Sequence, residues 1–294
     1  MLRLMAGPDG FDSACTELSP SLQHEPDKVD ITTIEIAHVT NLDSVMPFFV
    51  TKLSPEMRQA YDKCVEHLKQ RGCKVRSSPS PSPLQPPPRV RWSMNLTLIV
   101  QQLRPVELKG FTKAMDIWSS MLSAAGGPSF KDLLEDSGPR INIVREFLAW
   151  SIGRSQFSFP GLLLAAVEEV PKLIPGFNER MVEQGKLLRK YLTEEVLGPN
   201  TVLLFPPHPT TAPRHNVPLF RPFNFVYTAI FNTMEVPATQ IPLGLDSDGV
   251  PLGVQAIARH HHDHLTIAIA LELEAAFGGW VPTPFIRANQ AKAK

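Results

Sequence analysis

The sequence predicts an α/β fold in which a mixed β-sheet is flanked by helices. A β-branched stretch at 28–39 is followed by an amphipathic helix over 54–70 and by a second strand that begins at Gly72. Strand, helix and strand in this order are typical of α/β folds with parallel strands. A further pair of strands within 236–257 is separated by a turn sequence, which predicts an antiparallel hairpin and makes the sheet mixed.

The composition favours a globular protein that does not bind nucleic acid. Lys and Arg together number 29 and Asp and Glu together number 29, so the formal net charge is zero. A nucleic-acid-binding domain usually carries a basic face, so this class is not favoured. Apolar residues make up 43% of the chain, which allows a large core and makes global disorder unexpected. Proline is unusually frequent, with 29 residues, about twice its average share of ~5%.

Cysteine usage and hydropathy predict an intracellular protein, either cytoplasmic or peripheral to a membrane or lipid droplet. The three cysteines form no CxxC pair, which favours a reducing compartment. The longest apolar stretch, 159–167, is far shorter than the ~18–20 residues of a transmembrane helix. The first eight residues, MLRLMAGP, end like a helix terminus, with Gly followed by Pro. They predict either the end of a helix whose start is missing or a short frayed helix.

The helix over 54–70 has clear boundary signals. Ser54 followed by Pro55 is typical of an N-cap and first helical position. Tyr61, Cys64, Val65 and Leu68 share one apolar face, and Gly72 ends the helix.

A Pro/Ser-rich insertion or linker at 77–106 divides the chain. Residues 77–88, SSPSPSPLQPPP, favour polyproline II, either as a spacer or as a weak ligand for SH3 or WW domains; the spacer is favoured because no arginine flanks the PxxP core. We therefore expect an α/β segment at 1–76, a second one at 107–286, and a tail at 287–294.

The second segment is predicted to contain five helices and three strands. We expect helices over 111–123, 141–153, 160–170, 175–196 and 263–277, the last ended by Gly278-Gly279. The predicted strands are 201–205, 236–241 and 251–257, with Asp248-Gly249 as the turn between the last two.

No common catalytic motif is present in the sequence. The patterns GxSxG, HExxH, GxGxxG and the P-loop are all absent, and neither Ser77-Ser78 nor Ser119-Ser120 lies on a Gly-rich turn. His260 and His264 have a spacing that can bind a metal on a helix, but no third ligand is close in sequence, so solvated histidines at a helix start are favoured. His208 and His215 flank a Pro-rich loop that either lines a site or packs at an edge. We predict no metal site and no cofactor.

Three segments in a fixed order carry a family resemblance. FPPHPTTAP at 205–213, NTMEVPATQIPLG at 232–244 and GVPLGVQ at 249–255 together resemble the C-terminal part of the amidase signature family. The run RPFNFVYTAIFNTMEVPATQIPLGL and the ending HLTIAIALELEAAFGGWV are most similar to the fatty-acid amide hydrolase 2 branch. The resemblance covers about 1–76 and 107–286.

The resemblance implies both the reaction of the family and the absence of its catalytic residues from this chain. It implies hydrolysis of lipid amides by a Ser–Ser–Lys triad without metal or cofactor, with an acyl-enzyme and an oxyanion held by backbone N–H groups. The family carries that triad in a Gly- and Ser-rich region upstream of the point that matches Met1. We therefore assign no catalytic residue and expect the N-terminal catalytic portion to be missing. We also expect a chain that is marginally stable or prone to aggregate alone, because sheet edges and apolar surface are left uncovered.

The resemblance also suggests where a ligand binds. Phe223, Phe231, Thr239 and Gln240 match the part of the family that approaches the acyl channel, although each side chain could equally be core. Glu235 stands where the family favours Gly in Asn-x-x-Gly-x-Pro, which indicates either relaxed constraint or a solvent-facing position.

Three functional interpretations follow. The favoured one is a catalytically silent amidase homologue. The second is an active hydrolase that is completed by another chain or uses an unrecognised nucleophile. The third is a non-enzymatic module that binds a lipid amide or a protein partner, and the resemblance also implies a homodimer.

Overall fold

A mixed sheet, with five strands in the part of the chain that the structure describes, forms the centre of the fold. The computed structural model describes residues 25–47, 49–77, 108, 110–126, 129–135, 140–169 and 174–284. The strands are β1 (Glu35–His38), β2 (Lys74–Ser77), β3 (Thr201–Phe205), β4 (Ala238–Leu245) and β5 (Pro251–Ala258). Their order is β2-β1-β3-β5-β4; β1 is parallel to β2 and β3, whereas β5 is antiparallel to β3 and β4. The predicted mixed α/β sheet is confirmed.

Helices connect and cover these strands. They are α1 (Leu42–Val45), α2 (Pro55–Gln70), α3 (Ala114–Ala124), α4 (Phe130–Glu135), α5 (Ile143–Ser151), α6 (Phe159–Glu169), α7 (Phe177–Tyr191), α8 (Val217–Phe220), α9 (Val226–Thr233) and α10 (Asp263–Phe277). Short 3₁₀ turns lie at Pro26–Lys28, Ile31–Thr33 and Phe111–Lys113, and a π-helical turn at Leu192–Val196 extends α7. No helix within the described ranges is long and apolar enough to cross a membrane.

The first strand is shorter than the predicted one over 28–39. One cause is the 3₁₀ turn at Pro26–Lys28, and the other is Asp30, whose side chain accepts hydrogen bonds from the N–H of Thr32 at 3.0 Å and from the Thr32 hydroxyl at 2.8 Å. Thr33 in turn donates its hydroxyl to the Asp30 carbonyl at 2.7 Å. Such local bonds favour a turn over a sheet ladder. The prediction of strand for residues 28–34 is therefore wrong.

Helix α2 forms as its boundary residues predict. The Ser54 hydroxyl accepts from the N–H of Met57, and Pro55 occupies the first turn. The predicted apolar face is buried, and Tyr61 on it donates its hydroxyl to the Leu204 carbonyl at 3.1 Å while accepting from the N–H of Val39. This one side chain ties α2 to the ends of β1 and β3.

The hairpin β4–β5 is confirmed, although β4 runs further than the predicted 236–241. The turn closes because Asp246 accepts the N–H groups of Asp248 and Val250, and Gly249 adopts a left-handed φ of 78°. Pro242 is tolerated inside β4 because β4 is an edge strand of the described sheet. The long helix predicted over 175–196 is confirmed except that its last turn is π-helical.

Three predictions concern residues that the structure does not describe. The helix end within 1–8 and the tail at 287–294 lie outside the described residues. So does the insertion or linker at 77–106, apart from Ser77, which ends β2.

Candidate functional site

A cavity of about 260 Å³ opens between the Pro-rich loop 206–213 and the β4–β5 hairpin. The loop contributes His208 and Thr210, the hairpin contributes Gln240 and Gly253, and α2 contributes Met57. These residues come from three separate stretches of the chain, and the mixed sheet brings them together.

Hydrogen bonds fix the loop in place on both sides of the cavity. The Gln255 side chain, 4% exposed, donates to the carbonyls of Pro206 at 3.1 Å and Tyr227 at 3.0 Å. The Pro209 carbonyl accepts from the N–H of Ser54 at 2.8 Å. The Nδ1 atom of His208 lies 2.8 Å from the Thr210 carbonyl oxygen and 3.2 Å from the Thr210 amide nitrogen. The imidazole is therefore held by its own loop.

Three positions of the motif GVPLGVQ have a clear physical role. Gly249 makes the turn, and Gln255 anchors the loop. Gly253 leaves room for its cross-strand neighbour, because a Cβ there would lie 2.2 Å from the Gln240 side-chain nitrogen and 3.1 Å from the Ile241 carbonyl oxygen. The amide of Gln240 therefore lies over the backbone of β5 at the cavity.

The structure does not bring the four predicted pocket residues to one place. Gln240 lines the cavity. Its neighbour Thr239 projects to the other side of the strand, where its hydroxyl lies 2.7 Å from that of Thr266 on α10. Phe231 is 1% exposed in the core, and Phe223 is half-buried at the margin of that core, with its ring centroid 5.3 Å from that of Phe49.

Met57 and His208 line the cavity together with Gln240, but the sequence alone does not place them there. The sequence places Met57 in a helix and His208 in a Pro-rich loop, and neither position indicates a contact with Gln240. His208 and Gln240 both lie in the segments that carry the family resemblance, His208 in 205–213 and Gln240 in 232–244. The resemblance does not give the distance between their side chains.

The structure also contains a serine–histidine contact that the sequence does not predict. The Nδ1 atom of His38 lies 3.2 Å from the Ser77 hydroxyl, at the carboxyl ends of the adjacent parallel strands β1 and β2. Burial lowers the pKa of His38, although the charge of Asp62 opposes this shift. A neutral imidazole at this distance is the geometry of a general base and its nucleophile.

Other nucleophile candidates are held in structural roles. Ser120 is buried on α3 and donates to the Asn178 side chain at 3.0 Å. Burial raises the pKa of the Cys64 thiol to about 12 and that of the Cys73 thiol to about 11, so both remain protonated at neutral pH.

Glu235 occupies a backbone conformation that favours glycine. Its φ is 56°, which explains why a glycine is preferred at this place in the Asn-x-x-Gly-x-Pro motif. Its side chain is 64% exposed and its carboxylate lies 2.9 Å from the guanidinium of Arg189. Of the two predicted explanations, the solvent-facing position is confirmed.

Sequence relatives match nearly two thirds of this chain. Fatty-acid amide hydrolase 2 of Homo sapiens is 40% identical over 190 residues, which cover 63% of this chain and 36% of the relative. Fatty-acid amide hydrolase 2-A of Danio rerio is 38% identical over 195 residues, 65% of this chain and 36% of the relative. The chain is homologous to part of the fatty-acid amide hydrolases. It spans about a third of the length of these curated relatives, and no protein-family model matches it.

Solved structures agree with this relationship at the level of the fold. Allophanate hydrolase of Kluyveromyces lactis matches with a TM-score of 0.55 and 16% identity, over 94% of this chain and 37% of that one. A 6-aminohexanoate cyclic dimer hydrolase solved with its substrate matches with a TM-score of 0.55 and 15% identity, over 92% of this chain and 51% of that one. The sheet and its helices are those of the C-terminal part of the amidase signature fold, as the sequence resemblance implies.

Proposed function

We propose that this chain is a lipid-amide-binding member of the amide-hydrolase family. The observation that carries this proposal is the 40% identity to fatty-acid amide hydrolase 2 over 63% of the chain. The cavity lined by Gln240 and His208 supports it, because it offers an amide and an imidazole beside the apolar side chains of Met57 and Leu252. A polar group set in a mostly apolar concavity suits a ligand with an amide and a hydrocarbon tail.

Binding is tested by titrating the 294-residue chain with a fluorescent fatty amide. We expect Gln240→Ala to weaken binding, because Gln240 lines the cavity, and we expect Gln184→Ala, an exposed glutamine on α7, to leave it unchanged. Equal affinity of both variants would remove this cavity as the binding site.

We further propose that the chain alone does not hydrolyse amides. The sequence supports this, since no Gly- and Ser-rich signature with an upstream lysine stands in it. The second candidate is an active hydrolase, either completed by another chain or using a nucleophile outside the family pattern. The contact between His38 and Ser77 favours the latter form of this candidate.

Labelling by a fluorophosphonate probe separates these candidates, with circular dichroism to establish folding. A folded chain that stays unlabelled supports the silent interpretation. Label mapped to Ser77 and lost in His38→Gln supports a hydrolase with a new nucleophile, and label on any serine overturns the silent interpretation. Recovery of fatty-amide hydrolysis only on mixing with a second chain supports completion in trans.

We propose that the protein is intracellular and contacts a lipid surface peripherally through α5. Val144 and Leu148 on α5 and its C-cap residue Ile152 follow one another at intervals of four residues and are 70%, 66% and 65% exposed. Arg145 and Arg154 are exposed beside them. An exposed apolar stripe with flanking arginines is typical of helices that lie in a membrane interface.

Flotation with vesicles tests this contact. We expect Leu148→Ser together with Ile152→Ser to abolish flotation with phosphatidylserine vesicles, and Leu187→Ser, another exposed leucine, to leave it intact. Flotation that is unaffected by the α5 changes would contradict the proposed contact.

Two protein partners are also proposed from the sequence and its resemblance. A homodimer is tested by light scattering after size exclusion. An SH3 or WW partner of residues 77–88 is tested by deleting them before screening a domain panel.

A further inference from the structure

A second cavity, of about 350 Å³, lies at the end of α7, away from the loop 206–213. Lys186, Arg189 and Lys190 of α7 line one side of it, and Glu235 and His260 line the other. It contains the histidine that begins the cluster 260–264, for which the proposed function gives no role.

Unusual backbone conformations concentrate around this cavity. The turn Leu192–Val196, which contributes Thr193 to the lining, is π-helical. Glu235 has a φ of 56°, and His261, next to the lining residue His260, has a φ of 63°. A non-glycine residue with a left-handed backbone conformation carries roughly 1–3 kcal/mol of strain. Strained residues of this kind and π-helical turns are both concentrated at functional sites. These outliers justify asking what the cavity binds.

The charges that face the cavity favour an anion. Three cationic side chains, Lys186, Arg189 and Lys190, face the carboxylates of Glu194 and Glu235. The guanidinium of Arg189 donates to Glu235 at 2.9 Å and to the Thr233 carbonyl at 2.7 Å, while its Nε is buried without a hydrogen-bond partner. The cationic set is therefore only partly neutralised by the chain itself.

Glu235 is positioned as a replaceable anion. Its carboxylate is bound to Arg189, yet its side chain is 64% exposed, so it can leave for water at little cost. Its backbone is held separately, because its carbonyl lies 3.0 Å from the Nδ1 atom of His260. A carboxylate that can swing away from a fixed backbone leaves the guanidinium free for another oxyanion.

We propose that this cavity binds a phosphate group, whose oxygens replace the Glu235 carboxylate on Arg189 and pair with Lys186 and Lys190. Arginine and lysine together form the usual protein environment for phosphate, the first by directed hydrogen bonds and the second as a point charge. The phosphate comes either from a free metabolite or from a lipid headgroup. The site is independent of the amide-binding cavity, so its test does not depend on the proposed function.

Binding is measured on the full chain by thermal shift and calorimetry with inorganic phosphate, against chloride at equal ionic strength. Because a ligand that binds only the folded state raises its stability, we expect phosphate to raise Tm. We expect Glu235→Gln to bind phosphate about threefold more tightly, the factor set by removal of a surface ion pair, and Lys190→Gln to bind it about threefold more weakly. Arg221→Gln, an exposed arginine just after α8 that does not line this cavity, serves as the matched control and leaves the affinity unchanged.

Arg189→Gln is expected to abolish binding, and Lys190→Gln keeps the test valid if loss of the bond to Thr233 prevents Arg189→Gln from folding. Glycerol phosphate and vesicles that contain phosphatidic acid distinguish the two sources of phosphate, each read against Lys190→Gln. Absence of binding to every phosphate probe, in both the parent chain and Glu235→Gln, would overturn the inference. Binding that is equal in the parent chain and in Lys190→Gln would overturn it as well.

Discussion

The sequence leaves two alternatives for Phe231: its side chain either lines the ligand pocket or belongs to the core. The structure places it 1% exposed, with its ring centroid 5.8 Å from that of Phe111 and 5.3 Å from that of Phe205. A side chain enclosed in this way contributes to the free energy of unfolding whether or not a ligand is present. The substitution Phe231→Ala therefore tests the placement directly.

The expected loss of stability is large. Truncation of a buried phenylalanine to alanine typically costs about 3–5 kcal/mol, which combines lost transfer free energy with the cavity left behind. With a urea dependence of about 2 kcal/mol per M, the midpoint of unfolding should fall by roughly 2 M. Urea unfolding followed by circular dichroism measures this shift. Phe231→Leu, which keeps most of the volume, should cost only about 1 kcal/mol and remains measurable if the alanine variant does not fold.

Phe220 is the matched control, because it is 81% exposed and Phe220→Ala should change stability by less than about 0.5 kcal/mol. A loss below about 1 kcal/mol in Phe231→Ala would refute the core placement. A fall in fatty-amide affinity without loss of stability would return Phe231 to the pocket wall.

Three further predictions use the same urea assay. Glu235→Gly should be more stable than Glu235→Ala by about 1 kcal/mol, because both lose the pair with Arg189 and only glycine relieves the φ of 56°; an equal or greater stability of the alanine variant contradicts this. Gln255→Leu should cost about 2–3 kcal/mol, because two buried carbonyls lose their donor, and a cost below about 1 kcal/mol would mean that the loop is anchored otherwise. At Glu272, burial raises the pKa but hydrogen bonds from His67 and Arg71 outweigh it, so the pKa lies below the usual 4.5. The ionised Glu272 therefore stabilises the fold above pH 4.5, and this stabilisation is lost as the pH falls through the lowered pKa. In Glu272→Gln the free energy of unfolding should fall less steeply with acid than in the parent chain. The same pH dependence of unfolding in both proteins would contradict this prediction.

Local signals allowed most elements to be predicted from the sequence. The strand Thr201–Phe205, the hairpin turn at Asp248-Gly249 and the start of α2 at Ser54-Pro55 each depend on neighbouring residues, and each is present in the structure. The prediction failed where local side-chain bonds compete with a β-branched pattern, as at Asp30. The β-branched pattern alone does not reveal that the Asp30 carboxylate holds residues Ile31–Thr33 in a turn instead of a strand.

The candidate site was predictable only in part, because position along the chain does not give direction in space. Thr239 and Gln240 are adjacent and are both predicted to line the pocket, yet alternation along β4 directs Thr239 toward α10 and Gln240 to the cavity. Phe223 and Phe231 lie in the same segment, but Phe231 is enclosed in the core cluster, whereas Phe223 is half-buried at the margin of that cluster and contacts Phe49.

The sequence by itself determined the fold class, the family resemblance and the loop whose prolines restrict its backbone. Only the tertiary structure decided which side chains meet: Met57, His208 and Gln240 at one cavity, His38 and Ser77 at the strand ends, and Arg189 with Glu235 at another. The physical reason is that secondary structure depends on neighbours within a few residues. A site depends on the register and layering of strands that are far apart in sequence, such as β1 and β3, whose paired residues Glu35 and Thr201 are 166 positions apart, and these are set by burial of the whole core.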